Sequence, residues 1–266
     1  MALPPLCWIV ALPKRELVMI PRDNSSHFEE NQILAALDKS EYQRLFSQLE
    51  RVSLTLEQEI YEADGPINHV YFPETAVFSM LATMEDGRTV EVGPIGHEGL
   101  VGVRVAMGAN TTPDRVLVHI AGTALRLNAS ALRAELASEH TTLSHNLKRY
   151  TRMLLTMTGR TSACNKLHTI EQQLARWLLT MSDYVGNELR LTHDLIALTL
   201  GVRRAGVSVA ANSFRSMGVI DYRRAHIQVI DRKGLEEIAC ECYHIVKAEY
   251  DRLYAELSTG APLFDS

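Results

Sequence analysis

The stretch from Leu191 to Asp231 constrains the fold of this chain more than any other. Thr192, a residue type that caps helices through its hydroxyl, precedes Leu195, Ile196 and Leu200, which share one helical face. Gly201 then ends that helix. A second helix opens at about Arg203, with Val207, Ala210, Ala211 and Phe214 on one side and Arg204, Ser208, Asn212 and Arg215 on the other. From Val219 to Asp231 apolar and polar residues alternate around Arg223 and Arg224, the pattern of a hairpin with a cationic tip. Helix, glycine turn, basic helix and basic hairpin together suit a helix laid in a DNA major groove beside a wing on the phosphates. The plainer alternative is a helix pair with a solvated basic face.

Charge supports a local rather than a global polyanion site. The 266 residues carry a net charge of −5, yet Arg190 to Gly234 holds eight Lys or Arg against three Asp. The four cysteines, Cys7, Cys164, Cys240 and Cys242, include no CxxC pair and lack the spacing of a disulfide framework, which suits a reducing cytoplasm. No run approaches the roughly 18 to 20 apolar residues of a membrane span, so no membrane partner is expected.

The N-terminal half has a different rhythm. After a tail over residues 1–28, Ile33, Leu34, Leu37, Tyr42, Leu45, Phe46 and Leu49 recur at helical spacing. Short segments rich in Val, Ile, Phe and Tyr come next, at 70–72, 76–84, 89–92 and 115–121. Asp86-Gly87 lies between two of them and predicts a tight hairpin turn with positive φ angles. Gly93, Pro94, Gly96, Gly99 and Gly102 read as sheet corners of a small antiparallel β-roll.

From Asn128 to about Asp183 the period is helical, with a break near His168 and Thr169. Leu143, Leu147, Tyr150, Leu154, Met157, Thr161 and Cys164 keep a four-three spacing, a heptad seam that needs covering by a second copy or by the chain's own elements. Gly159 weakens a coiled coil there.

The order of these parts resembles the Crp/Fnr superfamily of bacterial transcription regulators, over about Ile33 to Tyr243 and most closely at residues 70–102 and 191–230. The resemblance implies an α+β fold: a cyclic-nucleotide-binding-like sensory β-roll at 29–140, a dimerisation helix at 141–168 and a winged helix-turn-helix at 169–266. It also implies a homodimer assembled on Leu143, Leu147, Tyr150, Leu154 and Met157, bound to an inverted repeat in double-stranded DNA, with RNA polymerase as a further partner. Arg204 is the expected base reader, and Arg203, His193, Ser208, Asn212, Arg223 and Arg224 the other DNA contacts.

Departures from the family are informative. Cyclic-nucleotide binders use a Gly-Glu and an Arg-Ser pair where this chain has Gly102-Val103 and Arg115-Val116, so cyclic AMP lacks its polar partners. Only Cys7 lies where oxygen sensors of the family cluster their cysteines, so no iron–sulfur cofactor is expected. Ala205 and Val209 replace the second and third residues of the usual Arg-Glu and Arg recognition set. His97, Glu98 and Arg115 make a candidate effector pocket, with Gly96-His97-Glu98-Gly99 read as a solvent-exposed corner or an anion-binding turn.

His69, His97 and His119 lie on separate segments without metal-ligand spacing, and no catalytic constellation stands out, so neither metal nor enzyme activity is expected. Cys240 and Cys242 read as core and rim of a late helix. Two alternatives remain: a constitutive DNA binder with a structural roll, and a barrel enzyme attached to a DNA-binding unit.

Overall fold

The computed structural model describes residues 18–19, 31–137 and 141–260; Cys7 and most of the expected tail lie outside them. In chain order come β1 (Val18–Met19), α1 (Gln32–Ala35), α2 (Lys39–Phe46), β2 (Glu50–Leu54), β3 (Glu59–Tyr61), β4 (His69–Pro73), β5 (Val77–Thr83) and β6 (Thr89–Ile95). A 3-10 turn at Val103–Met107 leads to β7 (Arg115–Ile120), β8 (Gly122–Asn128) and α3 (Ala129–Glu135). The C-terminal half holds α4 (Thr142–Leu167), α5 (Ile170–Val185), β9 (Glu188–Arg190), α6 (His193–Leu200), α7 (Arg204–Ser216), β10 (Ile220–Arg223), β11 (His226–Val229), α8 (Arg232–Ile238) and α9 (Cys242–Thr259).

The β-roll consists of two antiparallel sheets, ordered β1-β2-β8-β4 and β3-β7-β5-β6. Fully buried Phe72, Phe78, Ile95 and Leu125 fill the space between them. The β5–β6 hairpin is closed differently from the two-residue Asp-Gly turn expected from sequence. Met84 and Arg88 pair across three residues, and only Gly87 has positive φ. Asp86 instead accepts a hydrogen bond from the Arg88 amide at 3.1 Å, which an ordinary negative φ allows.

Gly93, Gly96 and Gly99 serve close contact, and Gly96 and Gly99 also bracket a turn closed by the Gly99 amide on the Gly96 carbonyl at 3.1 Å. A Cβ at these positions would collide with Met157, Tyr184 and Tyr150 respectively, so the side chains of α4 and α5 lie directly on the backbone of the roll.

The seam of α4 is correspondingly not free. Leu143, Leu147, Tyr150, Leu154 and Met157 are all buried within the single chain, in one core with the roll and with Val246, Leu253 and Leu257 of α9. The residues expected to form the dimer face are thus already covered within one chain. The roll and α9 cover them, and on the outward side α4 presents Leu155, 66% exposed, near Gly159. At the expected break α4 stops at Leu167, His168 adopts an extended conformation, and Thr169 starts α5 through a capping box with Gln172.

A second core gathers Trp177, Leu178, Ile196, Val207, Phe214 and Ile227 of the C-terminal unit with Val77 of the roll. Among the described residues no helix is long and apolar enough to cross a membrane.

Candidate nucleic-acid interface

The interface is built on α6 and α7. Thr192 caps α6 by accepting from the Leu195 amide at 3.1 Å, and Gly201 ends it with φ +64°. Gly201 also needs its missing side chain, since a Cβ there would lie 3.0 Å from Val90 of β6. The turn of the helix pair therefore rests on the roll hairpin. Buried Val207, Ala210, Ala211 and Phe214 hold α7 against the core and leave Arg204, Ala205, Val209, Asn212 and Arg215 in solvent. Arg203 occupies the N-cap with no side-chain bond to the helix, which leaves first-turn amides for an anion.

Strands β10 and β11 pair Arg223 with His226 and form the wing, with β9 on the far side of β11. Its two loop residues, Arg224 and Ala225, have φ +45° and +66°, the geometry of a type I′ turn made without glycine. Asp221 joins wing and helix: its carboxylate lies 3.1 Å from Arg223 and 3.5 Å from Arg215. The cations of α7 and of the wing thus flank one carboxylate on a single surface. Arg204 pairs with Asp194 at 3.1 Å, both well exposed, an arrangement of little net strength that a nucleic acid could replace.

Two of the expected contacts are also engaged within the fold. His193 is buried, stacks on Tyr222 with centroids 4.2 Å apart, and bonds through Nδ1 to Ser208 Oγ at 3.0 Å. Burial, with the Arg204 guanidinium nearby, holds its pKa below the ordinary range. Through this bond and the stacking on Tyr222, His193 and Ser208 tie α6, α7 and the wing together. Arg203, Arg204, Asn212, Arg223 and Arg224 do lie in solvent.

Residues 172–238 match the family described as Crp-like helix-turn-helix domain. Among solved structures, FixK2 from Bradyrhizobium japonicum superposes with a TM-score of 0.63 at 19% identity, covering 72% of this chain and 98% of that one. The c-di-GMP responsive global regulator CLP of Xanthomonas campestris gives 0.60 at 14%, covering 72% and 99%. A CRP/FNR-family transcriptional regulator from Thermus thermophilus gives 0.55 at 20%, covering 71% and 97%. The chain has the Crp/Fnr fold. No curated protein matches it by sequence.

In this Crp/Fnr roll the three candidate effector residues separate. Arg115 lies on β7 and pairs with Glu59 of β3 at 2.8 Å. Glu98 is fully buried, which corrects the solvent-exposed corner. It accepts from the Gly96 amide at 3.0 Å and from Tyr184 Oη at 3.1 Å, and burial pushes its pKa up to about 7. His97 stands at the edge of a cleft of about 390 Å³ between the roll and helices α5 and α9, lined also by Asp183, Tyr184, Lys247, Tyr250 and Tyr254. That size is in the range of small-molecule sites. Tyr254 Oη lies 3.2 Å from His97 Nε2.

Sequence reasoning missed this cleft because α9 supplies one wall, and nothing local ties α9 to a corner some 150 positions earlier. It also missed that Cys164, His168, Cys240 and Cys242 converge. The spacings Cys-x3-His and Cys-x-Cys are a signal that could have found them, though the two segments lie more than 70 positions apart.

Proposed function

We propose that this chain is a sequence-specific, homodimeric DNA-binding transcription regulator whose roll responds to a small molecule other than cyclic AMP. The observation that carries the reading is the shared cationic surface of α7 and the wing, drawn together around Asp221. Arg204 reads a guanine through its two-pronged guanidinium, and exposed Val209 meets a thymine methyl. Arg203, Asn212, Arg223 and Arg224 fix the helix against phosphates and base edges.

A dimer would join through the outward side of α4 around Leu155, since the inward side is filled. Its two recognition helices would enter successive major grooves about 34 Å apart, which calls for an inverted repeat. Support for an effector comes from the tyrosine-lined cleft beside His97; support against cyclic AMP comes from Val103 and Val116, both buried and apolar. Repression and activation through RNA polymerase are both compatible with this reading.

Selection of binding sites from a random duplex pool, with and without small-molecule extract, tests it. An enriched two-fold symmetric site supports the reading, and enrichment that changes with extract supports the sensor. A pool with no enriched sequence overturns it.

A further inference from the structure

Three cysteines and a histidine meet where the DNA-binding unit joins the rest of the molecule. Cys164 lies in the last turn of α4, His168 at its C-cap, Cys240 just before α9 and Cys242 at its first residue. Their ligand atoms all lie within 4.8 Å of one another. Cys164 Sγ is 3.5 Å from Cys240 Sγ, and Cys242 Sγ is 3.8 Å from His168 Nδ1. A tetrahedral zinc ion with bonds of about 2.3 Å to sulfur and about 2.0 Å to nitrogen needs ligand separations of roughly 3.5 to 3.8 Å.

From this convergence we infer that Cys164, His168, Cys240 and Cys242 bind a zinc-type divalent cation in a closed Cys3His site. Buried thiols can also pack as small apolar groups, but these three form a cluster of their own, apart from both hydrophobic cores. The surroundings are those of a ligand set. His168 turns its other nitrogen, Nε2, to Glu241 at 3.3 Å, the carboxylate–histidine pairing that fixes the tautomer of a metal-bound imidazole. Arg176, itself buried, is close enough to act on Cys164 and Cys242. Three thiolates around a divalent cation carry one net negative charge, which that guanidinium balances.

The donor set selects the metal. Thiolate sulfur with one imidazole in tetrahedral array favours zinc over magnesium, calcium or manganese. An iron–sulfur cluster would spread its ligands over separate irons. Four protein ligands leave no open position, so the site is structural rather than catalytic. Bound metal would lock the end of α4, the joint before α5 and the start of α9 to one another.

The test uses the full-length protein, reduced, stripped with a chelator and titrated with Co2+ and then Zn2+, with no DNA present. One equivalent of cobalt should give the intense visible bands of a tetrahedral site and a thiolate-to-metal charge-transfer band, both bleached by one equivalent of zinc. Cys7→Ser should keep the full signal, and Cys242→Ser should lose charge-transfer intensity. Should the cysteine variants fold poorly, Glu241→Gln changes only an exposed side chain and should weaken metal affinity about 10- to 100-fold while keeping the spectrum. A folded, reduced wild type that takes up no cobalt, a spectrum without charge transfer, or a signal abolished by Cys7→Ser would each overturn the proposal.

Discussion

The indole of Trp177 donates a hydrogen bond of 3.2 Å to the carboxylate of Glu91, joining α5 of the C-terminal unit to β6 of the roll inside a fully buried contact. Ser79 donates to the other carboxylate oxygen, Arg176 acts on it from α5, and the ring of His119 meets Trp177 edge-on. Burial pushes Glu91 up to about 7, as it does Glu98, and pushes His119 down to about 4. The two carboxyls hold protons more tightly in the folded chain, so the stability they contribute is complete below their ordinary value of 4.5 and is lost as pH rises through about 7. His119 works in the opposite sense, its contribution being present above its ordinary 6.5 and lost as pH falls toward 4. Above about pH 6.5 the two carboxyls pull stability down, against a smaller opposite contribution from His69, His119 and His193 as their unfolded forms lose the last of their protons. Stability should therefore fall between pH 6.5 and 8 by on the order of 1 kcal/mol per carboxyl, and Glu91→Gln should remove about half of that fall. Thermal melts across the range check it; a wild-type melting temperature flat from pH 6.5 to 8 contradicts it.

Arg204 and Arg223 should separate in DNA binding. Arg204→Ala should flatten preference at one symmetry-related pair of positions, costing about 1 to 3 kcal/mol of discrimination. Arg223→Ala should weaken every sequence alike and lower the salt slope by about one. Competition binding with single-base variants of the selected site distinguishes the two patterns, and unchanged specificity in Arg204→Ala removes α7 as the reading head.

Ala225 and Arg224 are the two positive-φ residues of the wing, and Ala225 is the one glycine can replace without removing a charge. A side chain at φ +66° costs on the order of 1 kcal/mol that glycine avoids. Ala225→Gly should raise stability by about that amount, less the extra entropy of a glycine in the unfolded chain. Denaturant unfolding measures the difference, and a clear loss of stability would mean that the turn has another shape.

The two faces of α4 should respond in opposite ways. Leu147→Ala removes a side chain only 2% exposed and should cost about 2 to 5 kcal/mol of fold stability. Leu155→Glu, on the outward face, should leave the melting temperature nearly unchanged and release monomers. Sedimentation of both variants checks this, and an undisturbed dimer in Leu155→Glu would move the interface elsewhere.

The helix pair α6–α7 and the wing hairpin were legible in the sequence because their signals are local, whereas β9 fell in a stretch that read as loop. Thr192 opens α6, Gly201 closes it, and the alternation around Arg223 and Arg224 specifies a hairpin. Strands β4 to β7 of the roll were legible for the same reason, whereas β2, β3 and β8 were not singled out. What the spacing of Leu147 and Leu154 could not reveal was which surface covers them, since α9 returns from about 100 positions downstream. His193 misled in a related way. Its place at the start of α6 suggested a phosphate contact, whereas its stacking on Tyr222 depends on how the wing folds back. The Cys3His cluster is the extreme case, being invisible until α4 and α9 are brought side by side.

That meeting of α4 and α9 has a mechanical consequence. The chain enters the helix-turn-helix unit at His168 and leaves it at Cys240, and the thiol one turn before the entrance lies 3.5 Å from the thiol at the exit. Entry and exit therefore meet at a single neck. The contacts of Trp177 with Glu91 and of Gly201 with Val90 hold the unit to the roll away from this neck, so that turning the unit about it would require breaking them.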